Sequence, residues 1–196
     1  VLAAYLSGHD YVLDFMHDDI FKSYLDKLIF DEIIPTLDLP KEELEEFAKA
    51  VSDRFANPYI KHSLLDISLN SCSKFTARCL PSLLSFKETN GTVPSCLSFA
   101  LAAFIAFYKG EFRDGKYIGK RSEGTEYEIR DSAPVLEFFN DCWNNREDRI
   151  VKEVLSNRDF WNGTDLTETD GLEKAVSDHL GQIHSKGIRN AISDLV

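Results

Sequence analysis

Pro94-Ser95-Cys96-Leu97-Ser98-Phe99-Ala100-Leu101-Ala102-Ala103-Phe104-Ile105-Ala106-Phe107-Tyr108 reads as a helix that is apolar on nearly every side. Such a helix belongs at the centre of a domain, covered by other helices. Its longest apolar run, residues 99–108, is far short of the roughly 20 residues a membrane helix needs. On the N-terminal side, residues 20–34 carry Ile20, Phe21, Tyr24, Leu25, Leu28, Ile29 and Ile33 at three- and four-residue steps, a stripe made to pack on a core. That helix should end near Pro35. Pro40 then suits the first turn of another, whose Glu42, Glu43, Glu45 and Glu46 lie near the positive end of its dipole as solvated charge. Asn57-Pro58 breaks the chain again, because a residue before proline is pushed out of the helical region.

Helical spacing continues over residues 61–86, with interruptions predicted at Asn70 and Pro81, and Asn90-Gly91 is a turn signal before the central helix. Between Lys109 and Ser132 the composition changes to Gly, Lys, Glu, Arg and Tyr without apolar periodicity, which predicts a surface insertion, a lid or a short hairpin. Helices resume over 133–145 and 146–155, and a final amphipathic stretch from Gly171 carries Leu172, Val176, Leu180, Ile183, Ile188 and Ile192. Asp170-Gly171 and Thr167 are the candidate caps of that last helix. With no strand–helix alternation, internal repeat or heptad run, residues 1–196 are expected to form one all-α, multi-helix domain.

Composition narrows the function. The chain has 43% hydrophobic and 28% charged residues, the balance of an ordinary globular domain. With 33 acidic against 22 basic residues, its formal charge of -11 opposes a phosphate backbone, so neither nucleic-acid nor membrane partners are expected. Cys72, Cys79, Cys96 and Cys142 form no CxxC pair and are too few for a disulfide scaffold, so reduced thiols in a cytoplasmic protein are expected. No basic-then-apolar signal peptide opens the chain.

Most catalytic signatures are missing. Asn90-Gly91-Thr92 and Asn162-Gly163-Thr164 are isolated turns that match a glycosylation sequon and form no phosphate loop. His9, His17, His62, His179 and His184 form no HExxH arrangement, so no metal site is expected. There is no GxSxG, and Cys72 and Cys79 read as small packing groups. One segment stands out: residues 67–87 contain no Asp or Glu but carry Lys74, Arg78 and Lys87. Lys74 and Arg78, four apart, emerge from one helix face and suit a carboxylate or a polyhydroxylated anion, with Asn57, His62 and Asn70 near in sequence. The competing reading is that both pair with acids elsewhere in this acidic chain.

Arg54-Phe55-Ala56-Asn57-Pro58-Tyr59-Ile60-Lys61-His62, followed by Ser68-Leu69-Asn70 and Ser73-Lys74-Phe75, resembles the RFxNPxI signature of the polyol-specific long-chain dehydrogenases, the mannitol dehydrogenase group. Within that family the chain is most similar to the branch that interconverts tagaturonate and altronate. The likeness rests on Glu32-Ile33-Ile34-Pro35, Leu37-Asp38-Leu39-Pro40, Lys74-Phe75, Arg78, Leu80-Pro81, Asn90-Gly91-Thr92, Phe99-Ala100-Leu101-Ala102-Ala103 and Ile105-Ala106-Phe107-Tyr108. It runs from Val1 to the C-terminus and is weakest over residues 111–130.

The resemblance implies a substrate-binding domain similar to the 6-phosphogluconate dehydrogenase C-terminal domain, partnered by an N-terminal Rossmann domain that holds NAD. It implies an NAD-dependent dehydrogenase that moves hydride between NADH and the keto group of a sugar acid. The family's catalytic Lys-x4-Asn-x2-His run is expected on the N-terminal side of Ala3-Ala4-Tyr5-Leu6, and nothing in this chain matches it, so the chain alone is expected to be inactive. Val1 opens the chain inside an apolar segment, which predicts a helix cut from something larger. By the same resemblance Lys74 and His62, then Asn57 and Arg78, are the expected substrate ligands. His62 stands where mannitol dehydrogenases more often have Asp, a change suited to a substrate with its own carboxylate. Arg54 and Asn57 have a second reading, as the groups that fix the turn at Pro58. Two alternatives stay open: a sister activity on fructuronate or mannitol, and a helical module that binds a partner helix without chemistry.

Overall fold

The computed structural model describes all 196 residues. The central helix α8 spans Ser95–Phe107, and ten of its residues, from Cys96 to Phe107, are buried. Around it lie α1 (Leu2–Leu6), α2 (Val12–Met16), α3 (Asp19–Lys27), α4 (Lys41–Phe55), α5 (Leu64–Ile67), α6 (Ser71–Arg78) and α7 (Leu80–Asn90) on its N-terminal side. After it come α9 (Ala133–Asn145), α10 (Ile150–Ser156), α11 (Leu172–Lys186) and α12 (Ile188–Ser193). The closest packing is of α11 on α8, with Leu172, Val176 and Leu180 turned inward. No helix is long and apolar enough to cross a membrane.

Local chemistry explains most breaks. The predicted 20–34 helix is α-helical only to Lys27, widens into a π-helical turn over Leu28–Ile33 and tightens into a 3-10 turn over Ile34–Thr36, where Pro35 halts it. Asn70 adopts left-handed geometry at φ 55°, which Asn tolerates, and so separates α5 from α6. The second interruption falls at Cys79 instead of Pro81, because proline fits the first turn of a helix and opens α7. The final stretch is two helices rather than one, since Gly187 at φ 79° stops α11 before Ile188. At its start Gly171 is the cap, and Thr167 lies in a separate 3-10 turn.

The ends of α8 decide the rest of the architecture. A helix leaves four N–H and four C=O groups unpaired at its ends, and here both ends are inside the protein. At the N-terminal end Glu32, only 4% exposed, accepts hydrogen bonds from the Cys96 N–H at 2.7 Å, the Leu97 N–H at 2.8 Å and the Ser95 hydroxyl at 3.2 Å. The π-helical turn that carries Glu32 brings the carboxylate there. At the C-terminal end Tyr127 donates to the Phe107 carbonyl at 2.8 Å, and Tyr117 donates to the Tyr108 carbonyl at 3.0 Å.

Both tyrosines come from the stretch read as a surface insertion. It is a three-stranded antiparallel sheet, β1 (Gly110–Arg113), β2 (Lys116–Lys120) and β3 (Glu126–Glu128), in the order β1-β2-β3. Tyr117, Tyr127 and Ile129 join the hydrophobic core. The segment is therefore built into the core while its outer face is solvated, and its two buried tyrosines are too few to give an apolar period. Arg121, also buried, clamps the sheet to the N-terminal helices: its guanidinium lies 3.7 Å from the Tyr5 ring centre and donates to Asp10 at 2.7 Å.

Candidate functional site

Charge, not size, selects one cavity among several, since those of about 500 and 470 Å³ also have acids in their walls. A cavity of about 280 Å³ between α10 and α11 is lined by Glu147, Asp148 and Glu173, and another of the same size beside α6 by Asp131 and Asp159. A third, of about 220 Å³, has no acidic residue in its wall. Ten of its thirteen lining residues are hydrophobic, and its cations are Lys74 and Arg78.

The cavity forms where α1, α3, α6 and α8 meet. Val1, Leu2 and Ala3 supply one wall, Tyr24 and Leu28 another, and Ala100 and Ala103 the floor. The two alanines stand three apart on one face of an otherwise bulky helix, which is where α8 leaves room. Helix α6 presents Ser71, Lys74, Phe75 and Arg78, with Lys74 and Arg78 one turn apart as the spacing predicts.

Few of the polar groups here are free to bind anything else. Tyr24 donates its hydroxyl to the Cys96 carbonyl at 2.8 Å, and burial pushes its pKa well up. Ser71 donates to the Ser68 carbonyl at 2.6 Å. Burial also raises the Cys79 thiol pKa, against the opposing pull of Arg78. Lys74 uses one donor on the Ile67 carbonyl at 2.8 Å, and an ammonium has three. Neither Lys74 nor Arg78 takes part in an ion pair, so the reading that they are neutralised by acids elsewhere does not hold. The site is thus a mostly apolar pocket with a half-buried Lys74 and an exposed Arg78, neither in an ion pair, suited to a small anion with a carbon skeleton.

The other two expected ligands do not line this cavity. The Asn57 carboxamide oxygen accepts the Tyr59 N–H at 2.9 Å, the local turn that Asn-Pro sequences form. His62 is exposed, and its backbone carbonyl accepts the Val12 N–H at 3.0 Å, beside a bridge between Tyr11 and Ser63. The sequence reading missed the apolar part of the wall. Tyr24 and Leu28 belong to a stripe whose spacing points to the core, and the small residues Ala100 and Ala103 on one face of α8 are the signal that could reveal the gap.

The fold contains no parallel strand–helix–strand unit, and its single sheet is an antiparallel meander. A Rossmann site for a dinucleotide therefore does not fit on these residues.

Comparison with known proteins bears on the family and the fold. The family model for the mannitol dehydrogenase C-terminal domain matches residues 1–184. Altronate oxidoreductases of Escherichia coli K12 and Shigella flexneri are 43% identical over 201 aligned residues that cover 100% of this chain. The chain spans only 39% of their length. In fold it is similar to a Pseudomonas fluorescens mannitol 2-dehydrogenase, solved as a ternary complex with NAD and D-mannitol, with a TM-score of 0.85 and 21% identity over 99% of this chain and 37% of that one. A D-sorbitol dehydrogenase superposes with a TM-score of 0.75, also at 21% identity, over 97% of this chain and 37% of the other. The helical architecture around α8 is thus shared with those structures, and the chain belongs to the mannitol dehydrogenase family, as its C-terminal domain.

Proposed function

We propose that this domain is the substrate-side half of an NAD-dependent oxidoreductase that interconverts tagaturonate and altronate. The observation that carries the reading is the Lys74–Arg78 pair, two cations without acidic partners in a mostly apolar pocket whose wall includes Val1, Leu2 and Ala3. A uronate brings its own carboxylate, which a charge-assisted bond to either cation would anchor. The apolar wall would then order the carbon chain and exclude water around it. The 43% identity to altronate oxidoreductases supports the same substrate class.

Hydride transfer and most of NAD binding are assigned to the rest of the full-length protein, a reading supported by the lack of a parallel strand–helix–strand unit here. The family's catalytic Lys-x4-Asn-x2-His run, expected on the N-terminal side of Ala3, would reach the cavity along the wall that Val1, Leu2 and Ala3 line. His62 and Asn57 remain proposed ligands of the substrate's acid or hydroxyls, outside the Lys74–Arg78 pocket. The protein is proposed to act in the cytoplasm, where its thiols stay reduced.

The test is NADH oxidation by the intact protein with tagaturonate, fructuronate and fructose, for wild type and Lys74→Ala. Turnover confined to tagaturonate, with KM raised about ten- to hundred-fold in the variant and kcat nearly kept, is the expected result for a lost binding contact of roughly 1.5–3 kcal/mol. Turnover with fructose alone, or an unchanged KM in the variant, refutes it.

A further inference from the structure

Helix α4 is unusual among the long helices. Leu44, Phe47, Ala48, Val51 and Phe55 form an apolar stripe about 100° wide, as a helix packed on a core should have. Yet Ala48 is its one buried residue. The stripe is covered along its Ala48 side and bare along its Phe47 side, where Phe47 is 65% exposed. The chain on either side of the helix is bare as well. Leu39, just before α4, is 65% exposed, and Tyr59, just after it, is 93% exposed, with Ile60 exposed beside it. Single exposed apolar residues are ordinary, but Phe47 on α4 together with Leu39, Tyr59 and Ile60 at its two ends makes a candidate docking surface.

We propose that this face docks the remainder of the full-length polypeptide, the part that the longer relatives possess and that is read above as the nucleotide-binding domain. The inference rests on that reading for the occupant's identity. Length favours it over a second copy of the chain. The chain spans 39% of its relatives' length, so a body larger than this domain must be accommodated on its surface. Charge describes the occupant: Glu42, Glu43, Glu45 and Glu46 lie in the first turns of α4, so a complementary surface carries basic groups there. The occupant should present an apolar centre with a basic rim.

Hydroxyl-radical footprinting of the intact protein tests this without using its activity. Trypsin cuts after Lys41 and Lys49 and after Lys109 and Arg113, releasing two peptides in which Phe47 and Phe112 are the sole aromatic residues. Phe112 is less exposed than Phe47 in this domain and serves as the internal reference. Each rate is normalised to the unfolded protein. If α4 is covered within the polypeptide, Phe47 in a monomer, verified by light scattering, oxidises about ten-fold more slowly than Phe112, because interface cores exclude water. Phe47 oxidising as fast as Phe112 or faster overturns the proposal. Protection that appears only in a dimer and fades on dilution also overturns it, in favour of a second copy. The tagaturonate assay on the same preparation reports the substrate reading separately, so a failure of one is not a failure of the other.

Discussion

Replacing Glu32 by Gln tests whether the buried end of α8 organises the domain. The carboxylate accepts two backbone N–H groups at 2.7 and 2.8 Å, one on each oxygen. A carboxamide keeps the shape but turns one acceptor into a donor, so either the Cys96 or the Leu97 N–H then faces an N–H. Losing one charge-assisted hydrogen bond in a buried site costs roughly 1.5–3 kcal/mol. Losing the negative charge at a helix N-terminus costs up to about 2 kcal/mol more. These terms overlap, so the expected loss is about 3 kcal/mol, equivalent to a fall in Tm of roughly 6–12 °C for a domain of this size. Urea unfolding followed by tryptophan fluorescence measures it through the buried Trp161, whose indole N–H donates to the Val154 carbonyl at 2.8 Å. Ser95→Ala is the control, since it removes a single longer contact of 3.2 Å and should cost below about 1 kcal/mol. If Glu32→Gln and Ser95→Ala are equally mild, water or backbone shifts satisfy α8 and the capping argument is wrong.

Other outcomes follow from separate parts of the molecule. Asp18 is partly buried, which opposes its charge, but its bond to Arg189 and the Ile20 and Phe21 amides outweigh burial and hold its carboxyl below the usual range. A carboxyl lowered on folding stabilises the protein above its unfolded pKa of about 3.9 and loses that contribution as pH falls through the folded value. Asp18→Asn should therefore lower stability at neutral pH and flatten the acid limb of the stability curve, and parallel curves for variant and wild type would contradict this. Burial pushes the Cys72 and Cys96 thiols up to about 12 and Cys142 to about 11, so none of the three should react quickly with a disulfide reagent at pH 8 until the protein is unfolded. A fast-reacting thiol mapped to one of them would disprove it. Gly119 lies under the Tyr127 ring, where a Cβ would approach to 2.6 Å, so Gly119→Ala should cost about 1–3 kcal/mol by overpacking. A neutral result in thermal unfolding would show that the β3 tyrosine can move aside.

Much of this protein is legible in its sequence. The unbroken apolarity around residues 95–107 determined that one helix sits inside the others, because a helix with no polar face has nowhere else to go. The acid-free stretch 67–87 and the four-residue spacing of Lys74 and Arg78 determined that two cations share one helix face. The breaks at Asn57-Pro58 and Asn70 were legible as well, since local backbone sterics act within a few residues. Long-range polar pairing was not legible. Nothing near Glu32 in sequence says that it serves amides 64 and 65 residues further on, and nothing in the Lys- and Glu-rich 109–132 stretch says that Tyr117 and Tyr127 close the other end of the same helix. Nor does the sequence separate Asn57 and His62 from the Lys74–Arg78 cavity, since residues that are neighbours along the chain diverge once a turn at Pro58 and a bridge at Ser63 redirect it. Periodicity reports which face of a segment is buried, whereas the partner of a buried polar group depends on which segments meet, and only the folded chain decides that.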